Sequence, residues 1–387
     1  MSKPSLTGRH AEVAGAGLAG LATAAALAQR GWSVRLHEQG SELREIGAGI
    51  YLFDNALRAL AAIGAYDEVA ARAEDIRQME LRDHRNNLVR EGHFGDGRLF
   101  IALRGDLHAA LVNAAVRAGV DIVTNSRALA ADPDGRLEFA KGFGDRADLV
   151  VGSDGVYSSV RDSLRLADSI VDLQDGCGRH LIPREPDDPV RRTIEVWSAG
   201  RRLGVAPASP EHVYLFLCCP AADIAWRNQQ PFEPGAWLDS HPWYHRQLER
   251  IPRHPEGRWI SFYDVRCRSW SAGRVALVGD AAHAMSPNLG QGACVALANG
   301  IALADAVSGA ADIPRALRAW ELRERPIVDL TQRYSYLYGA VGTKWPRLTP
   351  LLDLRTPIVR SALLPILDRR TRSITADRPP ATPQAVA

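Results

Sequence analysis

Glycines at positions 15, 17 and 20 are the first residues whose types and spacing could do chemistry. Gly15, Gly17 and Gly20 follow the short apolar stretch 11–14 and precede an Ala/Leu-rich segment. A glycine-rich turn between a strand and a helix lets a diphosphate approach the backbone and the helix N-terminus. Glu38 lies 18 residues after Gly20, where a strand-end carboxylate could bind an adenosine ribose. The pattern predicts a dinucleotide site and does not distinguish FAD from NAD.

Two further segments each combine an apolar run with an acid and glycines. In residues 148–161, Asp154 and Gly155 come just after the apolar run. In residues 279–292, Asp280 holds the corresponding place. Because ligands bind at the carboxyl ends of strands in open α/β sheets, both acids are candidate ligand contacts.

The elements that must position these segments are typical of an α/β domain. The sequence predicts buried strands at residues 11–14, 33–38, 120–124, 147–152 and 274–278, and helices at residues 18–30, 56–73, 107–118, 296–308 and 313–323. The first strand, helix and second strand imply a parallel pair with a right-handed crossover. Glu12 interrupts the first apolar strand, and nothing in the sequence explains it.

The pattern changes between about residues 169 and 270. Strand-like runs at 193–197, 203–206, 213–218 and 259–265 are separated by turns rich in Pro, Gly and Asp. This part predicts an antiparallel sheet domain inserted into the α/β domain.

Together, the three glycine-containing segments resemble the flavoprotein aromatic hydroxylases of the para-hydroxybenzoate hydroxylase type, over residues 11–325. The resemblance implies an α/β fold with a Rossmann-like FAD-binding domain, an inserted antiparallel-sheet substrate domain and C-terminal helices. It also implies the residues that contact FAD, which are Gly15, Gly17, Leu18, Ala19, Gly20, Glu38, Gln39, Arg44, Gly49, Arg104, Asp154, Gly155, Asp280, Pro287, Gly290, Gln291, Gly292 and Ala293.

The third segment also suits a flavin ring physically. Gly290 and Gly292 let backbone N–H groups approach a planar ring, and the helix that follows directs its positive dipole end at it. Such a site would stabilise the negative charge of a reduced flavin. We expect His283, in the same segment, to be structural rather than a catalytic base.

The domain boundaries follow from the change in pattern. We place the FAD-binding domain at residues 9–75, 96–168 and 272–340, the substrate-binding sheet domain at 76–95 and 169–271, a C-terminal helical segment at 341–375 and a disordered tail at 376–387.

Within that family, the segments 11–15, 34–38, 47–52 and 275–285 resemble the oxygenases of 2-methyl-3-hydroxypyridine-5-carboxylate. The resemblance implies that Arg202 and Tyr214, on neighbouring strands, grip a substrate carboxylate, with Tyr51 and Pro287 also in the pocket. An arginine fork pairs with a carboxylate through two bonds, and a phenol adds a third donor. In the alternative interpretation, Arg202 is solvated and Tyr214 is a core aromatic. Near Met79 the family's second pocket tyrosine is missing, which leaves the substrate open.

Composition limits the possible partners. The formal charge of +2 gives no reason to expect nucleic acid or a membrane surface as a partner. The odd number of five cysteines and the lack of a Cys-x-x-Cys pattern argue against a disulfide framework and against a zinc site. The first ten residues contain no apolar leader, so we expect a cytoplasmic protein. The adjacent pair Cys218 and Cys219 is read as packing residues rather than redox-active ones.

The resemblance implies a mechanism centred on the flavin. NADH or NADPH would reduce FAD, and oxygen would form a flavin C4a-hydroperoxide that hydroxylates the ring, with ring opening left undecided. No side chain need be a nucleophile, and the absence of a second glycine fingerprint suits transient binding of NAD(P)H. The alternatives are a non-oxygenating FAD reductase or dehydrogenase and a catalytically silent binding protein. The chain could be a monomer or a homodimer.

Overall fold

The fold is described by a computed structural model over residues 8–43, 47–95, 98–224, 227, 232–251 and 259–348. Its strands, in chain order, are β1 His10–Ala14, β2 Ser33–His37, β3 Gly49–Phe53, β4 Glu74–Asp75, β5 Gln78–Arg82, β6 Leu88–His93, β7 Leu99–Leu103, β8 Asp121–Val123, β9 Ala130–Asp132, β10 Arg136–Phe139, β11 Gly142–Phe143, β12 Leu149–Gly152, β13 Ala167–Pro183, β14 Arg192–Ser198, β15 Arg201–Pro207, β16 His212–Pro220, β17 Trp259–Cys267, β18 Ser271–Ala272 and β19 Val275–Leu277.

The helices correct two of the sequence expectations. They are α1 Leu18–Gln29, α2 Asp54–Ala62, α3 Tyr66–Ala70, α4 Arg104–Arg117, α5 Ser159–Ser163, α6 Gly235–Leu238, α7 His245–Glu249, α8 Asp280–His283, α9 Gly292–Ser308 and α10 Ile313–Leu348, with 3-10 turns at Pro242–Tyr244 and Pro287–Leu289. The helix predicted at 56–73 is two helices, because Gly64 adopts a positive φ of 71° and ends the first one.

The helix predicted to end at residue 323 continues to Leu348 despite Pro326. A proline in a helix leaves the carbonyl four residues earlier without its bond. That residue is Leu322, which lies on the solvent side and is 77% exposed, where water can replace the bond. The predicted boundary at residue 340 therefore falls inside one continuous helix, and the predicted tail lies outside the described residues.

Parallel strands form the predicted core of the α/β part. The strand order is β18-β19-β12-β1-β2-β8, with β18 the antiparallel edge and the other neighbours parallel. β1, α1 and β2 form the predicted crossover unit, and α1 packs against α9 and α4. The glycines and acids of the three glycine-containing segments follow the carboxyl ends of β1, β12 and β19, which meet at one edge.

The second large sheet has the order β17-β13-β16-β15-β14-β5-β6 and is antiparallel except where β14 runs parallel to β5. Side chains alternate between its two faces. On β16, Leu215, Leu217 and Cys219 face a small core that includes Trp237, beneath the sheet. The opposite face, with Tyr214, Phe216 and Cys218, lines a cavity. Among the described helices, none has the length and apolar character to span a bilayer.

Glu12, unexplained by the sequence, is held by two histidines. Its carboxylate lies 2.6 Å from Nε2 of His37 and 2.8 Å from Nε2 of His10, and Nδ1 of His37 lies 2.7 Å from the Ser126 hydroxyl. Burial raises the pKa of Glu12, but the bonds to His37 and His10 outweigh it, so that pKa lies below its ordinary value of 4.5. A buried carboxylate with this set of partners is compatible with a core strand.

We expect Glu12→Gln to lower the thermal unfolding midpoint most near neutral pH. A carboxylate with a lowered folded-state pKa stabilises the fold above its unfolded pKa, and that contribution is lost as the pH falls through the folded value. The difference in midpoint between wild type and variant, measured at saturating FAD, should therefore shrink from about pH 6 to about pH 3.5. A difference that stays constant over this range would contradict the assignment.

Candidate active site

Two adjoining cavities of about 420 Å³ each lie at the edge where the three glycine-containing segments meet. The first, the turn cavity, lies beside the turn after β1. The second, the sheet cavity, lies between that edge and the seven-stranded sheet. Both cavities are lined by Gly17, Ser153, Gly155 and Val156. An elongated ligand can therefore reach from one cavity into the other.

The turn cavity contains most of the predicted dinucleotide residues. Gly15, Gly17, Glu38, Gln39 and Asp154 line it. Gly20 acts by close packing instead, since a Cβ on it would lie 2.0 Å from the carbonyl oxygen of Gly15. Arg44 lies outside the described residues.

Two side chains clamp the peptide at the centre of the turn. The Glu38 carboxylate accepts hydrogen bonds from the N–H groups of Ala16 and Gly40, at 3.0 and 2.7 Å. On the other side, Nε2 of His108 lies 3.0 Å from the Ala16 carbonyl oxygen and donates to it. The sequence analysis missed His108: the helix predicted at 107–118 left out Arg104, whereas the observed α4 begins at Arg104 and places both side chains on one helix face.

The sheet cavity holds the remaining predicted FAD contacts, with one exception. Its walls include Leu18, Ala19, Gly49, Arg104, Asp280, Pro287, Gly290, Gly292 and Ala293. The N-terminal residues of α1 and α9 therefore both face this cavity, and their positive dipole ends favour anionic groups. Gln291 lines neither cavity: its side chain is buried, and Asn55 Nδ2 lies 3.4 Å from its Oε1.

His283 lies behind the cavity wall rather than in it. Burial lowers the pKa of this imidazole to about 4, Nδ2 of Asn299 lies 3.2 Å from its Nε2, and its ring packs on Trp270. A neutral, buried histidine with these neighbours has a packing role, in agreement with the structural interpretation.

The substrate residues predicted from the sequence all lie in the sheet cavity. Tyr51, Arg202, Tyr214 and Pro287 line it, and the Tyr51 hydroxyl lies 2.7 Å from the hydroxyl of Thr193. Burial raises the pKa of the Tyr214 phenol far above its ordinary value, so this hydroxyl stays protonated and can donate a hydrogen bond.

Arg202 differs from the expectation in what it binds. Its guanidinium is 1% exposed, lies 2.5 Å from the Asp175 carboxylate and donates to Oδ1 of Asn288 at 2.8 Å. The arginine predicted to grip a substrate is thus already paired with a carboxylate of the protein. The sequence could not show this, because Asp175 lies 27 positions away on another strand.

A second arginine in the cavity was missed by the sequence analysis. Arg179 lies on β13, opposite Phe216 on β16, and faces the cavity beside Tyr214. Within the described part of the chain, Arg179 forms no ion pair with a carboxylate. The alternation of β13 could have revealed it, but the sequence analysis did not assign that strand.

Comparisons with known proteins agree with the fold and with FAD as the cofactor. The family model described as "FAD binding domain" matches residues 10–313. The chain is 41% identical to a probable 2-heptyl-3-hydroxy-4(1H)-quinolone synthase of Rhodococcus erythropolis, covering 92% of this chain and 93% of that one. It is 29% identical to a 6-hydroxynicotinate 3-monooxygenase of Bordetella bronchiseptica, covering 84% and 90%.

Among solved structures, the chain is similar to 2-methyl-3-hydroxypyridine-5-carboxylic acid oxygenase. The TM-score is 0.83 at 41% identity, over 88% of this chain and 93% of that one, and the solved structure is described as a tetrameric form. These findings confirm the predicted cofactor, FAD, and the predicted fold class.

We expect Gly17→Ala to weaken FAD binding without destabilising the protein free of FAD. A Cβ at Gly17 would meet no protein atom within 4 Å, and its φ of −73° suits alanine. The new methyl group would therefore obstruct only the cofactor, and we expect FAD affinity, measured by fluorescence titration, to fall about tenfold or more.

Gly309→Ala is the matched control, because it also places a Cβ in open space, at the end of α9 and away from both cavities. If Gly17→Ala retains wild-type FAD affinity, the turn does not hold the diphosphate.

Proposed function

The chain belongs to the family of FAD-binding aromatic hydroxylases, and on this premise we propose that its substrate is a small aromatic or pyridine-type ring that carries a carboxylate. The family membership makes the chain a flavin-dependent monooxygenase, which sets aside the non-oxygenating and silent alternatives. NADH or NADPH is proposed as the reductant, since a monooxygenase reaction needs two electrons from outside.

The proposal of a substrate carboxylate rests on the position of Arg179 in the cavity. A guanidinium is always charged, and a partly buried one facing a cavity is costly unless an anion neutralises it. Arg202 cannot take that role without giving up Asp175, whereas Arg179 forms no ion pair with a carboxylate of the described chain. A carboxylate on the substrate would complete this site, with the Tyr214 phenol beside it as a further donor.

This revises the clamp predicted from the sequence. We propose that Arg179 and Tyr214 contact the carboxylate, while Arg202 supports the wall through Asp175 and Asn288. Gly49 lies against the Tyr214 ring, where a Cβ would come within 2.4 Å of it, so the phenol is held in place by the strand that also faces the flavin site.

When bound, FAD would supply the redox chemistry, which is to accept hydride from NAD(P)H and to activate oxygen. The residues of the chain orient the ring, exclude water and stabilise charge. The N-termini of α1 and α9 place positive dipole ends at the cavity, and its walls include the aromatic side chains of Tyr51, Phe216 and Phe262. Ring opening after hydroxylation is compatible with this cavity but is not required by it.

The relatives favour a second candidate substrate. Several of them, at 31–41% identity, are named 2-heptyl-3-hydroxy-4(1H)-quinolone synthases. A neutral alkylquinolone would leave Arg179 without an anion, but Ile260 at the cavity is 41% exposed and could contact an alkyl chain near the opening. The two candidate substrates therefore differ in what they bring to the cavity: a carboxylate that pairs with Arg179, or an alkyl chain that contacts Ile260.

A substrate panel should separate the two candidates. We expect pyridine and hydroxybenzene carboxylates to stimulate NAD(P)H oxidation by the FAD-loaded protein and to gain one atom from isotope-labelled oxygen, detected by mass spectrometry. Their neutral amides should do neither. Labelled product from 2-heptyl-4-quinolone, with none from any carboxylate, would refute the carboxylate proposal.

Substitution of the two arginines should have different consequences. We expect Arg179→Met to weaken carboxylate binding about 100-fold, the loss of a charge-assisted pair, with little change in stability. Arg202→Met should instead lower the free energy of unfolding by about 3 kcal/mol, because it leaves the Asp175 carboxylate without its partner.

Carboxylate affinity is measured by the shift of the flavin spectrum, and stability by denaturant unfolding. For carboxylate affinity, Arg192→Met, on β14 of the same sheet but outside both cavities, is the matched control. Equal loss of carboxylate and amide binding in Arg179→Met would show that this arginine shapes the cavity without binding the charge.

A further inference from the structure

Two cysteines face each other in the wall of the sheet cavity. Cys177 on β13 is the register partner of Cys218 on β16, and both line the cavity. Both are buried free thiols, 2% and 5% exposed. Cys219, the neighbour of Cys218 in sequence, lies on the opposite face, in the core beneath the sheet. The pair that the fold brings together is thus not the pair that is adjacent in sequence.

The hydrogen-bond register places these two cysteines where a cross-strand disulfide can form. The N–H of Ala221 donates to the carbonyl oxygen of Gln174, and the N–H of Arg184 to that of Glu211, each at 2.9 Å. These two pairs lie at the two ends of the β13–β16 ladder and continue its register. Hydrogen-bonded pairs recur at every second residue, so they fall on the even-numbered residues of β13. Odd-numbered Cys177 therefore belongs to a non-hydrogen-bonded pair.

Such pairs bring the Cα atoms to about 4.5 Å and the side chains closer than in the other kind of pair. A disulfide needs a Cα separation of about 4.4–6.8 Å. The cysteines at this position can therefore be joined with little movement of the backbone.

The surroundings favour reaction at Cys177. Burial raises the pKa of its thiol, but a hydrogen bond from Cys218 and the charge of Arg179 outweigh burial, so that pKa lies below its ordinary value. Burial and the same hydrogen bond raise the pKa of Cys218. An attacking thiol and a resolving thiol are thus distinguished within the pair.

We propose that Cys177 and Cys218 form a redox-active dithiol in the substrate cavity, which hydrogen peroxide converts to a disulfide. Cys177 sulfur attacks one peroxide oxygen, the O–O bond breaks, and the leaving hydroxide takes the thiol proton as water. Cys218 sulfur then attacks the resulting sulfenic acid, the S–O bond breaks, and a second water leaves. Two thiols and one peroxide give one disulfide and two waters, so the electrons balance.

The location gives this oxidation a functional consequence. Peroxide forms when reduced flavin passes two electrons to oxygen without hydroxylating a substrate, and the dithiol lines the same cavity as the flavin site. The Cys177 thiol is hydrogen-bonded to Arg179, the residue proposed to contact the substrate, and the cross-link changes this thiol into a disulfide sulfur. Oxidation should therefore weaken substrate binding reversibly, although the cross-link itself does not depend on which substrate the cavity takes.

Peptide mapping of the FAD-loaded protein after treatment with hydrogen peroxide tests the proposal. We expect a peptide pair joined through Cys177 and Cys218, a mass lower by two hydrogen atoms, and the loss of two of the five titratable thiols under denaturing conditions. Dithiothreitol should restore both thiols. The cross-link should be lost in Cys177→Ser and Cys218→Ser and retained in Cys219→Ser, the matched control on the other face of the sheet.

The wild-type map decides the question even if a serine variant fails to fold. Five unchanged thiols, a link that involves Cys219, or oxidation of single cysteines to sulfinic acid without a link would each overturn the proposal. A further readout is the flavin spectral shift on adding a ligand of the cavity. Loss of this shift on oxidation and its return on reduction would support the functional consequence. An unchanged shift would overturn it, because the disulfide would then have no effect on ligand binding.

Discussion

The start of helix α1 must lie in close contact with three other segments, and the site depends on this packing. A Cβ on Gly20 would lie 2.0 Å from the Gly15 carbonyl, one on Gly15 would lie 2.6 Å from the Ser153 carbonyl, and one on Gly279 would lie 2.7 Å from Ala19. These contacts hold the ends of β1, β12 and β19 together around the helix N-terminus. The positive end of the helix and the free N–H groups of the turn can then serve one anionic ligand.

Buried polar bonds fix the same arrangement from behind. The Ala16 peptide is held by Glu38 and His108, and the buried Arg161 donates to the carbonyl oxygens of Val156 and Ala281, at 2.9 and 3.3 Å. Arg161 thereby joins the second glycine-containing segment to the third. Since a buried donor or acceptor without a partner is costly, these bonds make the relative positions of the segments specific as well as stable.

The seven-stranded sheet contributes the other half of the site through its alternation. One face packs on a small apolar core, and the other presents charged, phenolic and thiol side chains to the cavity. Arg179 and Arg202 share that face but differ in pairing, because among the described residues Asp175 forms an ion pair with Arg202 and not with Arg179. Charge pairing inside the wall therefore distinguishes Arg202, which is paired with Asp175, from Arg179, for which we propose a ligand carboxylate.

The sequence alone predicted the place of the cofactor site, because its signals are local: glycines beside a strand end and a helix start, with an acid a fixed distance along the chain. Family resemblance then supplied the flavin and the oxygenase activity. Only the tertiary structure decided how the cavity wall is paired, including the bond of Arg202 to Asp175, the exposure of Arg179 to the cavity and the register that sets Cys177 against Cys218. Contacts across strands depend on register between distant segments, and no local pattern specifies register.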